Sequence, residues 1–99
     1  MAVRLDLHPE AVAEARAARE WYAARSELAA LAFLAELDLA VARIQEAPQQ
    51  WPRYIQNTRR YLMKRFPFFV VYRKLDDTIQ VVAVAHARRR PGYWRVRKD

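Results

Sequence analysis

The chain of 99 residues has no cysteine, one glycine and two histidines. The missing cysteines exclude a disulfide framework, an iron–sulfur cluster and a thiol nucleophile. With imidazole only at His8 and His86, no structural zinc site is expected, and no other metal or cofactor. A single glycine leaves no glycine-rich loop to cradle phosphate. Nowhere does the sequence hold about 18 uninterrupted apolar residues, and no basic segment precedes a short apolar one. A soluble, cytoplasmic protein without membrane contact is the expectation. Length and a 54% hydrophobic composition suit one domain over residues 1–99 with a single modest core.

Acidic residues are scarce in the second half. Residues 1–50 carry 5 Lys and Arg against 8 Asp and Glu, whereas residues 51–99 carry 13 against 3. The formal net charge of +7 thus conceals a balance of +10 in the second half. Of the 18 cations, 15 are arginine, whose planar fork suits bidentate contact with phosphate or carboxylate. So one-sided a field predicts an acidic partner: nucleic acid, a ribosome or an acidic protein segment. The alternative is a basic surface with no polyanion partner.

Periodicity divides the chain. VRLDL (3–7) alternates Val3, Leu5 and Leu7 with Arg4 and Asp6, the pattern of a half-buried strand. Pro9 opens a first helix over 9–25, with Ala11, Ala15, Ala18 and Tyr22 on one face and Glu10 and Glu14 near its positive end. Ser26 is a plausible N-cap for a second helix to about Ala47, with a stripe of Ala30, Leu34, Leu37, Val41 and Ile44 widened by Leu31 and Phe33. QQWPRYIQN then reads as a loop. Strands follow at 59–65, 66–75 and 78–87, the last two joined by a turn at Asp76-Asp77. Both are apolar at nearly every middle position, so both faces should be covered. The order β-α-α-β-β-β predicts an α+β fold, a helical hairpin packed on an antiparallel sheet.

Acid–base catalysis by paired carboxylates needs two acids side by side with separated pKa values. Glu10, Glu14, Glu20, Glu27, Glu36, Asp38 and Glu46 all fall along the helices and read as their solvated faces. The cationic residues remain, above all in HARRRPGYW (86–94). Strand alternation places His86 and Arg88 on one face with Val82 and Val84, and Arg89 on the other. Cleaving RNA through its 2′-hydroxyl requires a base, an acid and cations for the developing phosphorane charge. His86, Tyr93 and Arg88 would supply these. The plainer readings are a locally bonded strand-end histidine, a solvated arginine run, and Tyr93 and Trp94 as a plug over the sheet rather than base-stacking rings. For binding, the candidates are Arg60, Lys64, Arg65, Arg73, Arg88, Arg89, Arg90 and Trp94.

FLAELDLAVARIQEAPQQWP (33–52), RFPFFVVYR (65–73) and VAVAHARRRPGYW (82–94) resemble the RelE/ParE superfamily of type II toxins. The similarity runs over nearly the whole chain, in the order of the elements above. The resemblance implies a toxin encoded beside a small antitoxin, whose acidic C-terminal segment wraps the toxin and blocks its basic surface in a hetero-oligomer. RelE-like members cut mRNA in the ribosomal A site with basic sheet residues and a C-terminal Arg and Tyr. ParE-like members poison DNA gyrase and lack that set. Arg88 matches the arginine after the last strand, and Tyr93 or Trp94 falls near the C-terminal tyrosine. Phe69, however, stands where RelE-type enzymes carry a basic residue. The FPFFVVYR and HARRRPGYW versions are closer to ParE-like members, so gyrase poisoning is the expected activity. The alternatives are a ribosome-dependent endonuclease using His86, Arg88 and Tyr93, or a degenerate, non-toxic module that only binds its antitoxin.

Overall fold

The computed structural model describes residues 4–97. Its elements are β1 (Arg4–Leu7), α1 (Pro9–Ala23), α2 (Glu27–Glu46), β2 (Arg59–Leu62), β3 (Phe68–Leu75), β4 (Thr78–His86) and a closing 3-10 turn, Tyr93–Val96. Val3, the first apolar residue of the expected opening strand, lies outside the described residues. α1 begins at Pro9, where the His8 Nδ1 accepts the Glu10 amide at 3.1 Å. It stops at Ala23, short of the expected Arg25, because the Arg25 and Ser26 amides both fold back onto the Tyr22 carbonyl. Ser26 then caps α2, its Oγ accepting the Ala29 amide at 3.2 Å.

The hairpin lies on one face of the sheet. Ala11 and Ala18 of α1 are buried, and their small side chains let the backbones approach closely. From α2, Ala30, Phe33, Ala40 and Ile44 are buried, with Leu34 and Leu37 packed beside them. Leu31 does not widen this stripe as expected; it faces solvent. Phe33 forms an aromatic knot with Tyr22, Phe66 and Phe68 at centroid distances of 5.3 to 5.5 Å. Such contacts add about 0.5–1.5 kcal/mol per pair beyond area burial.

Four strands form the sheet in the order β1-β4-β3-β2. It is mixed rather than purely antiparallel, since β1 runs parallel to β4. Alternation identifies β1 as a strand but says nothing of its partner. That partner lies some seventy positions away, beyond both helices, so the connection is a crossover and not a hairpin. β1 is also not half-buried: all four residues are exposed on the sheet's edge. The β3–β4 hairpin turns at Asp76, in the left-handed region at φ 55. Helix-side core residues include Val70, Tyr72, Ile79, Val81 and Val84. On the other face Phe69, Val71, Val82, Ala83, Ala85 and Trp94 form a second core, closed by Tyr54, Ile55 and Tyr93. The long apolar runs of β3 and β4 thus have cover on both sides. Deep burial also pushes the Tyr72 phenol up to about 12, the Arg59 charge opposing it in part.

Two local features depart from simple alternation. The β3–β4 register shifts between Val71 and Tyr72, pairing Val71 with Ala83 and Tyr72 with Val81. Val82 is the extra residue of this bulge, so Val82 and Val84 lie on opposite faces, not together. The expected strands 59–65 and 66–75 are also shorter, separated at Met63–Pro67. There the Glu36 carboxylate accepts the backbone amides of Lys64 and Arg65 and pairs with the Arg65 guanidinium at 3.0 Å. Glu36 is therefore a buried strut, with a side chain 9% exposed, and not part of a solvated face.

Burial pushes the Glu36 carboxyl up, but the amide and side-chain hydrogen bonds of Arg65, the Lys64 amide and the Arg65 charge outweigh it, leaving a lowered pKa. A depressed folded-state pKa contributes stability above the unfolded value and loses it as pH falls through the folded one. Glu36→Gln should therefore cost about 1–3 kcal/mol at neutral pH. The gap from the parent chain should close below the ordinary glutamate value of about 4.3. Urea denaturation of both proteins from pH 7 to pH 3 would check this; a gap that does not change with pH would contradict it.

Candidate functional site

β1 leaves β4 early. The last parallel contact is the His8 amide on the Val81 carbonyl. From Val82 onward the outer backbone of β4 is met by side chains instead. Glu14 Oε1 accepts the Val84 amide at 2.9 Å, and Arg97 donates to the Val82 carbonyl at 3.0 Å. The two side chains are joined by two further hydrogen bonds, each 2.9 Å. The Tyr93 hydroxyl donates to Glu14 Oε2 at 2.6 Å. Arg89 reaches the same oxygen at 3.5 Å, with its guanidinium 3.7 Å from the centre of the Tyr93 ring. Side-chain exposure is 14% for Glu14 and 7% for Arg97. Glu14 is thus the centre of a buried cluster and not the solvated helix-face residue its position suggests.

The electrostatics follow. Tyr93 has its pKa raised by burial first, then by the hydrogen bond and charge of Glu14, with Arg89 and Arg97 opposing. Arg97 is held further toward its charged form by its hydrogen bond to Glu14, against the cost of desolvation. A carboxylate flanked by guanidinium forks, with one backbone donor and one phenol, has its acceptor capacity filled.

The cleavage candidates are close in sequence but differently employed. His86 Nδ1 accepts the Arg88 amide at 3.0 Å, and the imidazole stands edge-on to Phe68 with centroids 5.0 Å apart. β4 ends at His86, and the Arg89 amide folds back onto the His86 carbonyl. Alternation therefore does not extend through the arginine run. Arg88 and Arg90 are exposed, with no side-chain hydrogen bond or ion pair among the described residues. Arg89 instead lies over Tyr93, beside α1. His86 and Arg89 line an apolar hollow of about 410 Å³ with Trp21, Tyr22, Phe68 and Val84; Arg88 and Tyr93 are not among its lining residues.

The binding candidates fall into separate groups. Trp94 is 3% exposed and belongs to the second core, leaving no open ring face for a base. The Arg60 guanidinium stacks 4.3 Å from the Tyr54 ring centre and 5.0 Å from that of Phe69. Lys64 and Arg65 are gathered at Glu36, in the corner that leads into β3. The Arg73 Nε donates to Gln80 at 2.7 Å, at the far end of the sheet from His86. Glu14 and Arg97 escaped the sequence reading because they meet across 83 positions.

On the edge of the sheet Leu5 (38% exposed) and Leu7 (45% exposed) combine with Val12, Leu37 and Val41 in an apolar trough of about 300 Å³. Among the described residues no three His, Asp or Glu side chains are grouped to hold a metal ion. No described helix is long and apolar enough to cross a membrane.

The Glu14 cluster generates a stability test. Breaking a buried charge pair from one side strands the other charge, at a cost of about 3–5 kcal/mol. Glu14→Ala should lose that much, whereas Tyr93→Phe should lose about 1 kcal/mol, the value of one hydrogen bond. Equilibrium denaturation of the two variants would check the order, and equal losses would show that the phenol and not the ion pair is the anchor.

The fold has relatives among known proteins. The model of the ParE toxin of the type II toxin–antitoxin system, parDE, matches residues 5–91. No curated protein sequence matches the chain. Among solved structures, a chain of the chromosomal ParDE TA system from P. aeruginosa superposes with a TM-score of 0.77 at 20% identity, covering 88% of this chain and 98% of that one. A double mutant of the E. coli toxin RelE in the free state gives a TM-score of 0.62 at 18% identity, over 89% of this chain and 86% of its own. At such identities the structures establish a shared fold. The family match spans far more than half of the sequence, from β1 to the end of the arginine run, and the chain belongs to the ParE toxin family of type II toxin–antitoxin systems.

Proposed function

We propose that the protein inhibits growth by binding and poisoning DNA gyrase, and that a small antitoxin with an acidic C-terminal segment neutralises it. The observation that carries binding over RNA cleavage is the state of the Tyr93 hydroxyl. It donates into Glu14 at 2.6 Å, and its pKa is raised by burial and by that carboxylate. It is therefore neither a base near neutral pH nor an acid free to act beside His86. Phe69, where RelE-type enzymes carry a cation, sits under Tyr54 and Arg60 in the second core. Arg88 and Arg90 remain as exposed cations suited to an acidic target.

The antitoxin's seat in this reading is the trough beside β1. An edge strand offers free backbone hydrogen-bonding groups, and apolar side chains on it invite a covering partner. Leu5 and Leu7 present such a surface, next to Val12, Leu37 and Val41. The acidic character of the partner complements the +7 charge of the chain. Leu7→Glu should weaken neutralisation by about tenfold or more, as expected for loss of an apolar anchor, while leaving toxicity intact. Titration of the antitoxin against both forms in a growth assay, with a binding isotherm alongside, would decide. Unchanged affinity would move the antitoxin to another face.

For the target, the purified protein should block gyrase supercoiling and leave ribosome-bound mRNA uncut. Arg88→Ala should reduce gyrase inhibition by about 2–5 kcal/mol in apparent affinity, the cost of losing a charged contact in a desolvated interface. Its melting temperature should not change, because the side chain has no internal partner among the described residues. Arg88→Lys should retain part of the effect, keeping charge without the fork. Cut mRNA with unaffected gyrase would favour the ribosome-dependent nuclease, and inactivity on both would leave an antitoxin-binding module.

A further inference from the structure

The outward side of α2 carries leucines that no other element covers. Leu28 is 79% exposed, Leu31 55% and Leu39 46%, and Ala35 between them is exposed as well. At about 100° per residue these four positions fall within about 80° of the helix circumference. They lie nearly opposite Phe33, Ala40 and Ile44, which face the core. With a rise of about 1.5 Å per residue the stripe is about 16 Å long. One exposed leucine needs no explanation, but three aligned around an alanine make a contact face. The small side chain at its middle lets another helix approach closely.

The two flanks of this stripe differ in charge. On one side Ala35 and Leu39 border a hollow of about 280 Å³ together with Arg43, Lys64 and Arg65. Glu36 holds that corner through the Arg65 Nε, and the Arg65 side chain is still 67% exposed. On the other side stands Asp38, at the margin of the trough beside β1. Asp38 and the Lys64 ammonium are exposed, with no side-chain hydrogen bond or ion pair among the described residues. Asp38 comes two positions after Glu36, about 3 Å along the helix. Acid and cations therefore stand at nearly one height, on opposite sides of the leucines.

A partner for this face must supply an apolar stripe, a cation opposite Asp38 and an acid opposite Lys64. A second copy of the chain supplies all three when turned about a two-fold axis parallel to α2. Equal positions then meet across the axis, and each acidic flank meets the basic flank of the other copy. Asp38 of one copy comes opposite Lys64 and Arg65 of the other, twice over. An antiparallel pair would instead set one cationic corner against the other. Copies of a chain with a net charge of +7 repel one another, so self-contact is favoured where acids prevail. Residues 1–50, which contain α2, hold 8 acids against 5 cations. We propose that two copies of the chain associate reversibly through α2, with the helices parallel. One stripe is at the low end of specific contacts, below about 1,200 Å², so a micromolar dissociation constant is expected. The inference does not rest on gyrase as target, and its failure would leave that reading untouched.

Sedimentation of the purified full chain from about 1 to about 200 μM tests it, and a shift from monomer to dimer is expected. Leu31→Glu and Leu39→Glu should each weaken the dimer about tenfold or more. Neither should lower the melting temperature, because both positions are exposed. Asp38→Lys and Lys64→Asp should each weaken it as well, whereas an equimolar mixture of the two should recover dimer. Each copy in the mixture supplies the charge that the other now requires. The chain has no cysteine, so single introduced cysteines report the geometry even if a charge variant misfolds. Leu28→Cys and Leu39→Cys should each cross-link to itself on mild oxidation, which needs Cα atoms within about 7 Å. A monomer over the whole range would overturn the proposal, as would a dimer indifferent to the glutamates or a mixture without recovery. Cross-linking by Ala35→Cys alone would overturn the parallel arrangement, since only the central position meets itself in an antiparallel pair. A monomeric parent chain whose Leu31→Glu variant loses antitoxin binding would overturn it too and assign the stripe to the antitoxin.

Discussion

A strand that is paired along only half of its outer edge imposes the central constraint on this fold. β4 is buried along most of its length, yet β1 accompanies it only from Thr78 to Val81. Buried backbone groups without partners are expensive, and a bulge at Val82 makes ordinary strand pairing harder still. Glu14 and Arg97 answer both needs, one as acceptor for an amide and the other as donor to a carbonyl. Their opposite charges then hold each other. That pair binds α1 to the sheet and brings the C-terminal turn back across it. Trp94 is consequently laid over the second core.

The basic surface looks different once these contacts are known. Much of the arginine complement has internal work: Arg97 and Arg89 around Glu14, Arg65 on Glu36, Arg60 on two rings, and Arg59 on a carbonyl. Arg25 likewise lies over Trp21, at 3.6 Å. A high formal charge therefore overstates the charge offered to partners, which is concentrated at a few side chains such as Arg88 and Arg90. Three adjacent arginines, identical in sequence and all exposed, differ in that only Arg89 is engaged by other side chains. The chain turns after His86, so neighbouring positions cease to alternate regularly.

Legibility followed the range of the interactions. Pro9, Ser26, the α2 stripe and the Asp76-Asp77 turn act within a few residues, and the elements they specify lie close to where periodicity puts them. The double cover of β3 and β4 was readable from their unbroken apolar middles. Contacts between distant positions were not. The parallel partner of β1, the grip of Glu36 on the Lys64–Arg65 corner, and the Glu14–Arg97 pair all join segments that carry no local sign of one another. A glutamate on a helix has the same sequence signature whether it meets water or a guanidinium. Val82 shows the same limit, because period-two counting cannot register an inserted residue. At the site, Tyr93 and Trp94 could be read as a plug or as working groups; their burial and hydrogen bonding come from where the chain end is led.

The β1–β4 pairing bears on how the protein is made. Arg4 lies beside Thr78, and Glu14 waits for Arg97. During synthesis the helical hairpin, with its short-range contacts, can form early, whereas the sheet cannot close until nearly the whole chain has emerged. Contacts of such long separation slow folding, because loop-closure entropy is spent before they form. A nascent chain is consequently incomplete as a toxin throughout its translation. Its apolar edge residues, Leu5 and Leu7, are made among the first and stay exposed even in the finished fold.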